Sequence, residues 1–495
     1  MRGDLPAEEE RGTRSRRGAA DSPTAYRATL EGLYHRRRFG LRPGLDVIEG
    51  LLDALGHPER SFPAIHVTGS KGKGSVAAMA QAILSAQGLR TGLFTSPHLV
   101  SYRERIQRDG ALIDPASVVE GIERVDAAAN RLTRAGRIDR EPTFFEATTA
   151  LGLDWFHRQS VDAAVVEVGI GGRLDATNVL DSRVGVITTI ELEHTDVLGP
   201  TLSDIAREKS GIFHPGMVGV VGTLPAEPRS VVESIAHREG IPLWHLDDEI
   251  EVVDRVLSEN GQTFTVRLLG HEWRNLRIPL LGRFQPTNAA LALAATSRFV
   301  ETLGRGLDEE AVRRALAGVR WPARLERVAM RPGLFYDVAH TPESARAVAQ
   351  SLAEVSPLTD PSDSAVVFGC LRGKDVPHIL DAFAPLARTL VVVPVRSERG
   401  LDPAEIRAAA AGRFPRVVVA RSAPEGLQLG RAATGPDGFT LVVGSDYLIG
   451  ELLNPGRAET DEPDLSDPGL GEPPAAEAPP AADASPPKRR RVRRS

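Results

Sequence analysis

Short runs of apolar, often β-branched residues alternate with longer amphipathic stretches through most of the chain. In the first half, residues 64–67, 163–166 and 184–187 predict strands, and residues 76–87, closed by Gly88, predict a helix. Continuous apolar runs of this kind are typical of parallel strands that are covered on both faces. The alternation therefore predicts an α/β fold with helices on both sides of a mostly parallel sheet.

A second series of alternating elements begins near Trp321. Its predicted strands are residues 334–336, 365–368, 390–393, 417–419 and 440–443, with helices at 343–352 and 403–411 between them. This rhythm predicts a separate, smaller doubly wound domain. We place the boundary within residues 303–321 and assign residues 22–318 to the first domain and 319–454 to the second.

The two ends of the chain differ in composition from its interior. Residues 1–21 are rich in Arg and Glu, and residues 455–495 are rich in Pro, Ala and acidic side chains before a basic run at 488–494. Because neither end has enough large apolar side chains to offset the entropy of ordering, both are predicted to be disordered tails. The basic run resembles a nuclear import signal and could contact an acidic surface, but a solvated tail is the simpler interpretation.

The charge balance and the cysteine content argue against several functional classes of protein. The 495 residues include 60 Lys and Arg against 66 Asp and Glu, and this balance argues against a general nucleic-acid binder. Cys370 is the single cysteine, which excludes an intramolecular disulfide and a thiolate metal cluster. The N-terminus lacks the apolar region of a signal peptide, and no apolar run reaches the length of a membrane span. We therefore expect a cytoplasmic protein whose folded core has neither a nucleic-acid nor a membrane partner.

The run Gly-Ser-Lys-Gly-Lys-Gly-Ser at residues 69–75 lies between the first predicted strand and the first predicted helix. Glycines let the backbone amides approach an anion closely, and a helix N-terminus favours negative charge. Lys73 supplies a positive charge for the β- and γ-phosphates of a nucleotide, and the Ser75 hydroxyl can meet magnesium or a phosphate. The spacing differs from the standard G-x-x-x-x-G-K-[ST] loop, so a simple turn is the alternative. The flanking strand and helix favour the nucleotide site.

Several charged side chains follow predicted strands. Glu167 ends an apolar strand at the sheet edge where ligands bind in open α/β folds, and magnesium at such a site needs only a few protein oxygens. His194 follows the next strand and could bind a metal through a neutral ring nitrogen, although a surface role is more common for a loop histidine. Lys209, in a predicted helix, is by itself most simply a solvated residue with helical ion pairs. Asp337 and His340 end a strand of the second domain, where a site and an ordinary turn are equally compatible with the sequence.

In their order along the chain, these segments resemble the dihydrofolate synthase/folylpolyglutamate synthase family, which belongs to the Mur-type ATP-dependent ligases. The matching segments are residues 39–45, 69–75, 95–99, 142–146, 167–178, 206–211, 284–288, 321–326, 337–340 and 444–448. The resemblance covers about residues 26–453. It implies an α/β fold in which a Mur-ligase-type P-loop ATPase domain with a mostly parallel sheet precedes a smaller Rossmann-like domain.

The resemblance also implies roles for individual residues. ATP, the co-substrate, would contact Gly69, Lys71, Gly72, Lys73, Gly74, Ser75, Asn288, Arg324 and Asp337. Two Mg²⁺ ions would be held by Ser96, Glu167, His194 and Lys209, the last as a carbamate. The substrates would contact Gly44, Leu45, Thr143, Phe144, Phe145, Glu146, Asp175, Ala176, Thr177 and His340. The catalytic residues would be Lys73, Glu167, His194 and Lys209.

The implied activity is the ATP-dependent joining of L-glutamate to dihydropteroate, to a reduced folate or to both, through an acyl phosphate, by a monomer. Three positions depart from the family pattern. Lys71 stands where many members have asparagine, Glu193 where aspartate is usual, and Thr341 where asparagine is usual. The last two departures concern the second metal ion and the cleft between the domains.

Two other interpretations are open. Another Mur-type ligase, such as one acting on a UDP-muramoyl peptide, would share the ATP site. Residues 95–99 and 143–146 favour folate instead, and no UDP-binding domain of typical length precedes the phosphate loop. A non-catalytic nucleotide-binding regulator would retain the fold without the chemistry. The retained Glu167, His194 and Lys209 argue against a regulator, whereas the departures at Glu193 and Thr341 leave it open.

Overall fold

The computed structural model describes residues 23–36, 42, 44–258, 260–355 and 363–454. Both predicted tails lie outside the described residues, as do residues 39–41 and 43 of the first segment that resembles the family. Within the described ranges, no helix combines the length and apolar character that crossing a membrane requires.

An eight-stranded sheet organises the first part of the chain, in the order β4-β3-β2-β5-β1-β6-β7-β8. Its strands are β1 Ala64–Thr68, β2 Thr91–Phe94, β3 Ile106–Arg108, β4 Ala111–Leu112, β5 Ala163–Glu167, β6 Ser182–Ile187, β7 Val218–Val221 and β8 Leu243–His245. Six of them are parallel, whereas β3 and β4 pair antiparallel at one edge. The carboxyl ends of β2, β5, β1 and β6 consequently meet at one edge, where ligands bind in open α/β sheets.

Helices cover both faces of this sheet. They are α1 Pro23–His35, α2 Asp46–Ala54, α3 Lys73–Ala86, α4 Pro115–Arg134, α5 Phe144–Arg158, α6 Thr195–Leu198, α7 Leu202–Ser210, α8 Ala226–Glu239, α9 Gln285–Thr302 and α10 Glu309–Gly318. On one face, Met79 of α3 and Leu293 of α9 are fully buried in one cluster with Val67 of β1. On the other, Leu151 of α5 lies in a cluster with Phe94 of β2. Burial from both sides explains the continuous apolar runs of the strands.

A three-stranded antiparallel sheet precedes α9. It consists of β9 Ile250–Ser258, β10 Gly261–Leu268 and β11 His271–Ile278, in the order β11-β10-β9. One face is buried and the other is exposed, as Phe264 and Leu276 in the core and Val256 at 62% exposure illustrate. This sheet was not predicted from the sequence, because its residues alternate in polarity rather than forming continuous apolar runs like those of the predicted strands.

The last part of the chain forms a six-stranded sheet in the order β12-β13-β17-β14-β15-β16. The strands are β12 Glu326–Ala329, β13 Gly333–Tyr336, β14 Ala365–Phe368, β15 Thr389–Val392, β16 Arg416–Val419 and β17 Phe439–Val443. The helices around it are α11 Pro342–Val355, α12 Val376–Phe383, α13 Pro403–Ala409, α14 Ala423–Ala432 and α15 Asp446–Leu453. All strands except β12 are parallel, and the predicted α/β fold is confirmed.

Candidate active site

A cleft of about 1240 Å³ lies between the carboxyl edge of the large sheet and the second domain. Most of the predicted site residues line it: Gly44, Lys71, Gly72, Lys73, Gly74, Ser75, Ser96, Thr143, Phe144, Phe145, Glu146, Glu167, Asp175, Ala176, His194, Asn288, Arg324, Asp337 and His340. Four predicted residues do not line it: Gly69, Leu45, Thr177 and Lys209. The structure thus brings residues from both domains to one cavity.

The phosphate loop connects β1 to α3 and is held on its inner side by the two residues that follow β6. Thr188 Oγ1 donates to the carbonyl oxygen of Lys71 at 2.5 Å, and the Ser70 N–H donates to the carbonyl oxygen of Thr189 at 2.8 Å. At Gly69, where φ is +143°, a Cβ atom would lie 1.9 Å from Thr188 Oγ1, so this position requires glycine. Gly69 therefore allows the close contact with Thr188 on the side of the loop that faces away from the cleft.

The loop lysine Lys73 begins α3 and folds back over the loop. Its Nζ donates to the carbonyl oxygen of Gly69 at 2.9 Å. On the other side of the helix start, a Cβ atom on Gly74 would lie 2.7 Å from the indole of Trp321. The helix N-terminus thus packs tightly against the segment between the domains, and Lys73 lies at the cleft, where its charge and the helix N-terminus both favour an anion.

The Glu167 carboxylate ends β5 beneath the cleft. Only 4% of the residue is exposed, and its Oε2 accepts a hydrogen bond from the Ser96 N–H at 3.0 Å. Burial raises the pKa of Glu167, while Lys73 and the Ser96 N–H act in the opposite direction. A buried carboxylate facing a cleft is a group that a bound cation would stabilise.

Lys209 lies beneath the loop that follows β6. It is 1% exposed, and its Nζ is 2.9 Å from Glu193 Oε1, whose second oxygen is 3.9 Å from Lys71 Nζ. Burial and the nearby Lys73 lower the pKa of Lys209 to about 8. The interpretation of Lys209 as a solvated residue is therefore wrong. Its position four residues after Ile205, which is fully buried on α7, was the available signal.

Lys71 and Glu193, two of the three residues that depart from the family pattern, are thus neighbours, and Glu193 lies between Lys71 and Lys209. Burial raises the pKa of Glu193, but Lys209 and Lys73 outweigh burial and the net pKa is lowered. His194, the next residue, starts α6 and has its pKa lowered chiefly by burial. A lowered pKa keeps the imidazole neutral near pH 7, as metal binding requires.

The second domain contributes Arg324, Asp337 and His340. Asp337 ends β13, and its two carboxylate oxygens accept from the N–H groups of Leu325 and Ala339, both at 2.7 Å. Burial raises the pKa of Asp337 to about 6 against the opposing charge of Arg324. His340 Nδ1 is 2.9 Å from the carbonyl oxygen of Val338, which fixes the orientation of the ring.

Thr341, the third departure from the family pattern, starts α11. Its Oγ1 accepts from the Ser344 N–H at 3.3 Å and lies 2.9 Å from Ser344 Oγ. The threonine hydroxyl thereby stabilises the first turn of the helix, which is a role that asparagine also serves.

The predicted acceptor pocket is built around the start of α5. Thr143 and Glu146 form a capping box, and Glu146 also pairs with Arg140 through two hydrogen bonds of 2.7 and 2.8 Å. Phe144 and Phe145 line the cleft beside this cap. The carboxylate of Glu146 is occupied by these bonds, and the rings of Phe144 and Phe145 supply apolar surface to the cleft.

Of residues 175–177, Asp175 and Ala176 line the cleft and Thr177 lies in the interior. Asp175 Oδ1 accepts from the Thr177 N–H at 3.0 Å, and Thr177 Oγ1 is 2.8 Å from His66 Nε2. Thr177 is fully buried behind Asp175 and does not reach the cleft. Leu45 likewise packs against the core, whereas its neighbour Gly44 lines the cavity.

Magnesium binding can be judged from the donors present. Across the described ranges, no group of three or more His, Cys, Asp or Glu side chains could enclose a metal ion. Magnesium does not need such a cage, because it keeps several waters and binds through one or two carboxylates and substrate phosphates. Ser75, Ser96 and Glu167 at the cleft fit this kind of site. His194 fits a second ion, but Lys209 fits only after its ammonium has been converted to an anionic group.

Some residues of the cleft were not among those predicted from the sequence. Arg105 and Asp446 both line it, from the turn before β3 and the start of α15 respectively. Arg105 is 6% exposed and lies with its guanidinium carbon 5.2 Å from the centre of the Phe144 ring. Arg105 has no local pattern that separates it from ordinary surface charge, whereas Asp446 lies in the segment 444–448 that resembles the family but was given no role. Their proximity to the cleft arises only from the tertiary fold.

Comparisons with known proteins identify relatives of the whole described core. Residues 67–296 match the Mur ligase middle domain, and residues 323–446 match the glutamate ligase domain of Mur ligases. The chain is 39% identical over 384 residues to the dihydrofolate synthase/folylpolyglutamate synthase of Mycobacterium tuberculosis, covering 75% of this chain and 78% of the relative. It is 35% identical over 367 residues to the folylpolyglutamate synthase of Lacticaseibacillus casei, covering 74% and 84%.

Solved structures agree with these relatives. The folylpolyglutamate synthase of M. tuberculosis complexed with ADP and AMPPCP superposes with a TM-score of 0.79 at 36% identity, over 86% of this chain and 98% of that one. Escherichia coli FolC in complex with DHPP and ADP superposes with a TM-score of 0.75 at 27% identity, over 87% and 98%. The similarity therefore spans both domains and includes proteins solved with nucleotides.

Proposed function

The chain belongs to the dihydrofolate synthase/folylpolyglutamate synthase family, and we propose that it uses ATP to join L-glutamate to dihydropteroate, to a reduced folate or to both. The observation that carries the proposal is the shared cleft. Lys73 of the phosphate loop and the buried Glu167 face it from the first domain, and Arg324 and Asp337 face it from the second. Nucleotide and acceptor would thus meet where both domains contribute charge.

The reaction we propose has two steps. The acceptor carboxylate attacks the γ-phosphorus of ATP, which gives an acyl phosphate and ADP. The amine of glutamate then attacks the acyl carbon, the C–O bond to phosphate breaks, and the amine loses its proton as the amide forms. Phosphorylation is needed because a carboxylate is a poor acylating agent at neutral pH.

The residues of the chain would supply orientation and charge. Loop amides and Lys73 would align the β- and γ-phosphates and offset the repulsion between two anions. Arg324 would add positive charge from the second domain, so that closure of the cleft completes the site and excludes water. Magnesium, held by Ser75, Ser96 and Glu167, would supply further neutralisation of phosphate charge. His340 and the pocket beside Phe144 would contact the substrates.

Acceptor choice is tested by phosphate release with Mg-ATP and L-glutamate, with dihydropteroate and tetrahydrofolate supplied separately. Release with dihydropteroate alone is expected for a dihydrofolate synthase, release with tetrahydrofolate alone for a folylpolyglutamate synthase, and release with both for a bifunctional enzyme. Hydroxylamine should trap the acyl phosphate as a hydroxamate. If neither acceptor supports release above the level of a Glu167→Gln variant, the ligase proposal fails and a nucleotide-binding regulator gains support.

We also propose that Lys209 carries a carbamate in the active enzyme. Its pKa of about 8 makes the neutral, CO2-reactive amine more abundant as pH rises toward that value, whereas the ion pair with Glu193 opposes the reaction. The expected result is a carbamate signal in the ¹³C spectrum of enzyme equilibrated with ¹³C-bicarbonate, stronger at pH 8 than at pH 6.5. Lys209→Arg, which keeps a cation beside Glu193, is the matched control. Equal signals from both proteins would contradict the assignment.

We propose that the enzyme acts as a monomer, because residues with roles for the nucleotide and for the substrates line one cleft of a single chain. Size measurement with and without ATP addresses this point. A cytoplasmic location stays a prediction.

A further inference from the structure

The segment between β2 and β3 carries Ser96 to the cleft and then returns. We refer to residues 95–101 as the crossover loop. The first residue of the loop is bonded to the residue that directly precedes β3: the Thr95 N–H donates to the carbonyl oxygen of Arg105 at 3.0 Å. Farther along, Arg105 Nε donates to His98 Nδ1 at 2.7 Å. The loop is therefore closed on itself by residues that precede β3.

The end of the crossover loop is held by a single carboxylate. Glu104 accepts the N–H groups of Leu99, Val100 and Ser101 at 2.8, 2.9 and 2.7 Å. Oε2 bonds to Leu99, and Oε1 bonds to the other two. Hydrogen bonds to an ionised acceptor are roughly twice as strong as neutral ones. Glu104 thus fixes three consecutive peptide groups with one side chain.

A local capping role explains only part of this arrangement. Ser101 and Glu104 form a capping box at the short 3₁₀ helix Tyr102–Arg105, and the bond to the Ser101 N–H belongs to it. The bonds to Leu99 and Val100 reach outside that helix. They shape the part of the loop that leaves the first domain.

The two ends of the crossover loop meet different domains. At one end, the Ser96 N–H donates to Glu167 Oε2 at 3.0 Å. At the other, the Leu99 side chain packs against the buried cluster of the second domain that contains Leu448. The backbone of α15 touches the same residue, since a Cβ atom on Gly450 would lie 2.1 Å from the carbonyl oxygen of Leu99. The loop therefore bridges the Glu167 site and the second domain.

We propose that Glu104 is a positioning residue for the ligase reaction. By ordering the peptide groups of residues 99–101, it seats Leu99 on α15 while Ser96 stays bonded to Glu167, and so couples the placement of the second domain to the geometry of the cleft. Glu104 itself does not line the cleft. The kinetic part of this inference rests on the proposed ligase function, whereas the coupling between loop and helix does not.

Glu104→Gln tests the proposal with little change in volume. If the amide oxygen replaces Oε1, the bonds from Val100 and Ser101 remain, and the NH2 group faces the Leu99 N–H, donor against donor. The opposite amide orientation loses the other two bonds. We expect kcat to fall about 10- to 100-fold, as for other small misplacements of reacting groups, with the KM for ATP within about threefold of wild type. Hydrogen–deuterium exchange should become faster in residues 95–101 and also in α15.

Asp114→Asn is the matched control. Asp114 caps the start of α4, where its Oδ1 accepts from the Ser117 N–H at 2.9 Å, and it does not line the cleft. This variant should leave kcat and the exchange of both segments unchanged. Gly450→Ala disturbs the contact between α15 and Leu99 from the side of the second domain. It should reproduce the faster exchange of the crossover loop and the loss of kcat.

Unchanged exchange in α15 of Glu104→Gln would overturn the coupling. So would an equal loss of kcat in Asp114→Asn, because it would indicate a general effect of lost caps. If wild-type protein turned over neither acceptor, the ligase proposal would fail, and the exchange comparison would still decide whether Glu104 couples the loop to α15.

Discussion

Replacing Glu167 by glutamine is expected to lower kcat by about 10³-fold while leaving the protein at least as stable as wild type at pH 8. Glutamine retains an oxygen that can accept the Ser96 N–H bond of 3.0 Å, so the local structure has a reason to persist. The anionic charge that would meet a bound cation is lost. Phosphate release with saturating ATP, glutamate and acceptor measures the effect.

The stability part of this prediction follows from the direction of the pKa shift. Burial raises the pKa of Glu167 above its ordinary value of 4.5, so its contribution to folding is fully present below that value and is lost as pH rises through the folded-state pKa. Above the folded-state pKa the ionised, buried carboxylate therefore costs stability in the ligand-free protein, and the neutral glutamine removes this cost. The difference in Tm between variant and wild type should shrink as pH falls toward 4.5.

Glu343→Gln is the control for charge at the cleft, because Glu343 lines the same cavity on an exposed surface. Its kcat should stay within about threefold of wild type, because the charge of an exposed carboxylate is screened by solvent. A Glu167→Gln protein that lost stability in proportion to its activity would show that the carboxylate is structural.

The second large effect is expected at Lys73. Lys73→Met should lower kcat by about 10³-fold, since the Nζ held by Gly69 is the loop charge placed for the transferred phosphate. Lys73 is also the main group that opposes the raised pKa of Glu167. Its removal should therefore move the acid limb of the pH–rate profile to higher pH, because Glu167 would hold its proton longer.

Lys71→Asn provides the matched comparison within the same loop. Lys71 is half-exposed and 3.9 Å from Glu193, and asparagine is the residue that many family members have there. We expect less than about a tenfold loss, consistent with a modest contribution from a partly solvated charge. A larger loss for Lys71→Asn than for Lys73→Met would reverse the assignment of the phosphate-binding lysine.

Several of the strands predicted from the sequence are buried on both faces of a sheet, which gives them continuous apolar runs. The predicted strand at 365–368 coincides with β14, and the one at 163–166 differs from β5 by one residue. The helix predicted from Val76 begins at Lys73 instead, because residues with loop-like composition already have helical backbone there. Strand β12 was missed because it is an edge strand with partly exposed side chains.

The residues of the candidate site also fall into those that could be predicted from the sequence and those that could not. The glycine-rich loop and the strand-terminal Glu167 and Asp337 have local signals, so their approach to one sheet edge could be predicted. The triad of Lys71, Glu193 and Lys209 could not, since it joins segments far apart in the chain and depends on which face of α7 is buried. Thr177 was misplaced at the cleft. Within two positions of a residue that does line the cleft, the chain turns into the protein interior, where Thr177 is fully buried.

The contact between Trp321 and Gly74 also has an optical consequence. The chain has four tryptophans, and Trp155 and Trp273 are buried within the first domain, away from the cleft. The indole of Trp321 lies against Gly74, where the phosphate loop ends and α3 begins. The arrival of a nucleotide changes the electric field and packing around that ring, so intrinsic fluorescence reports occupancy of the loop without an added label.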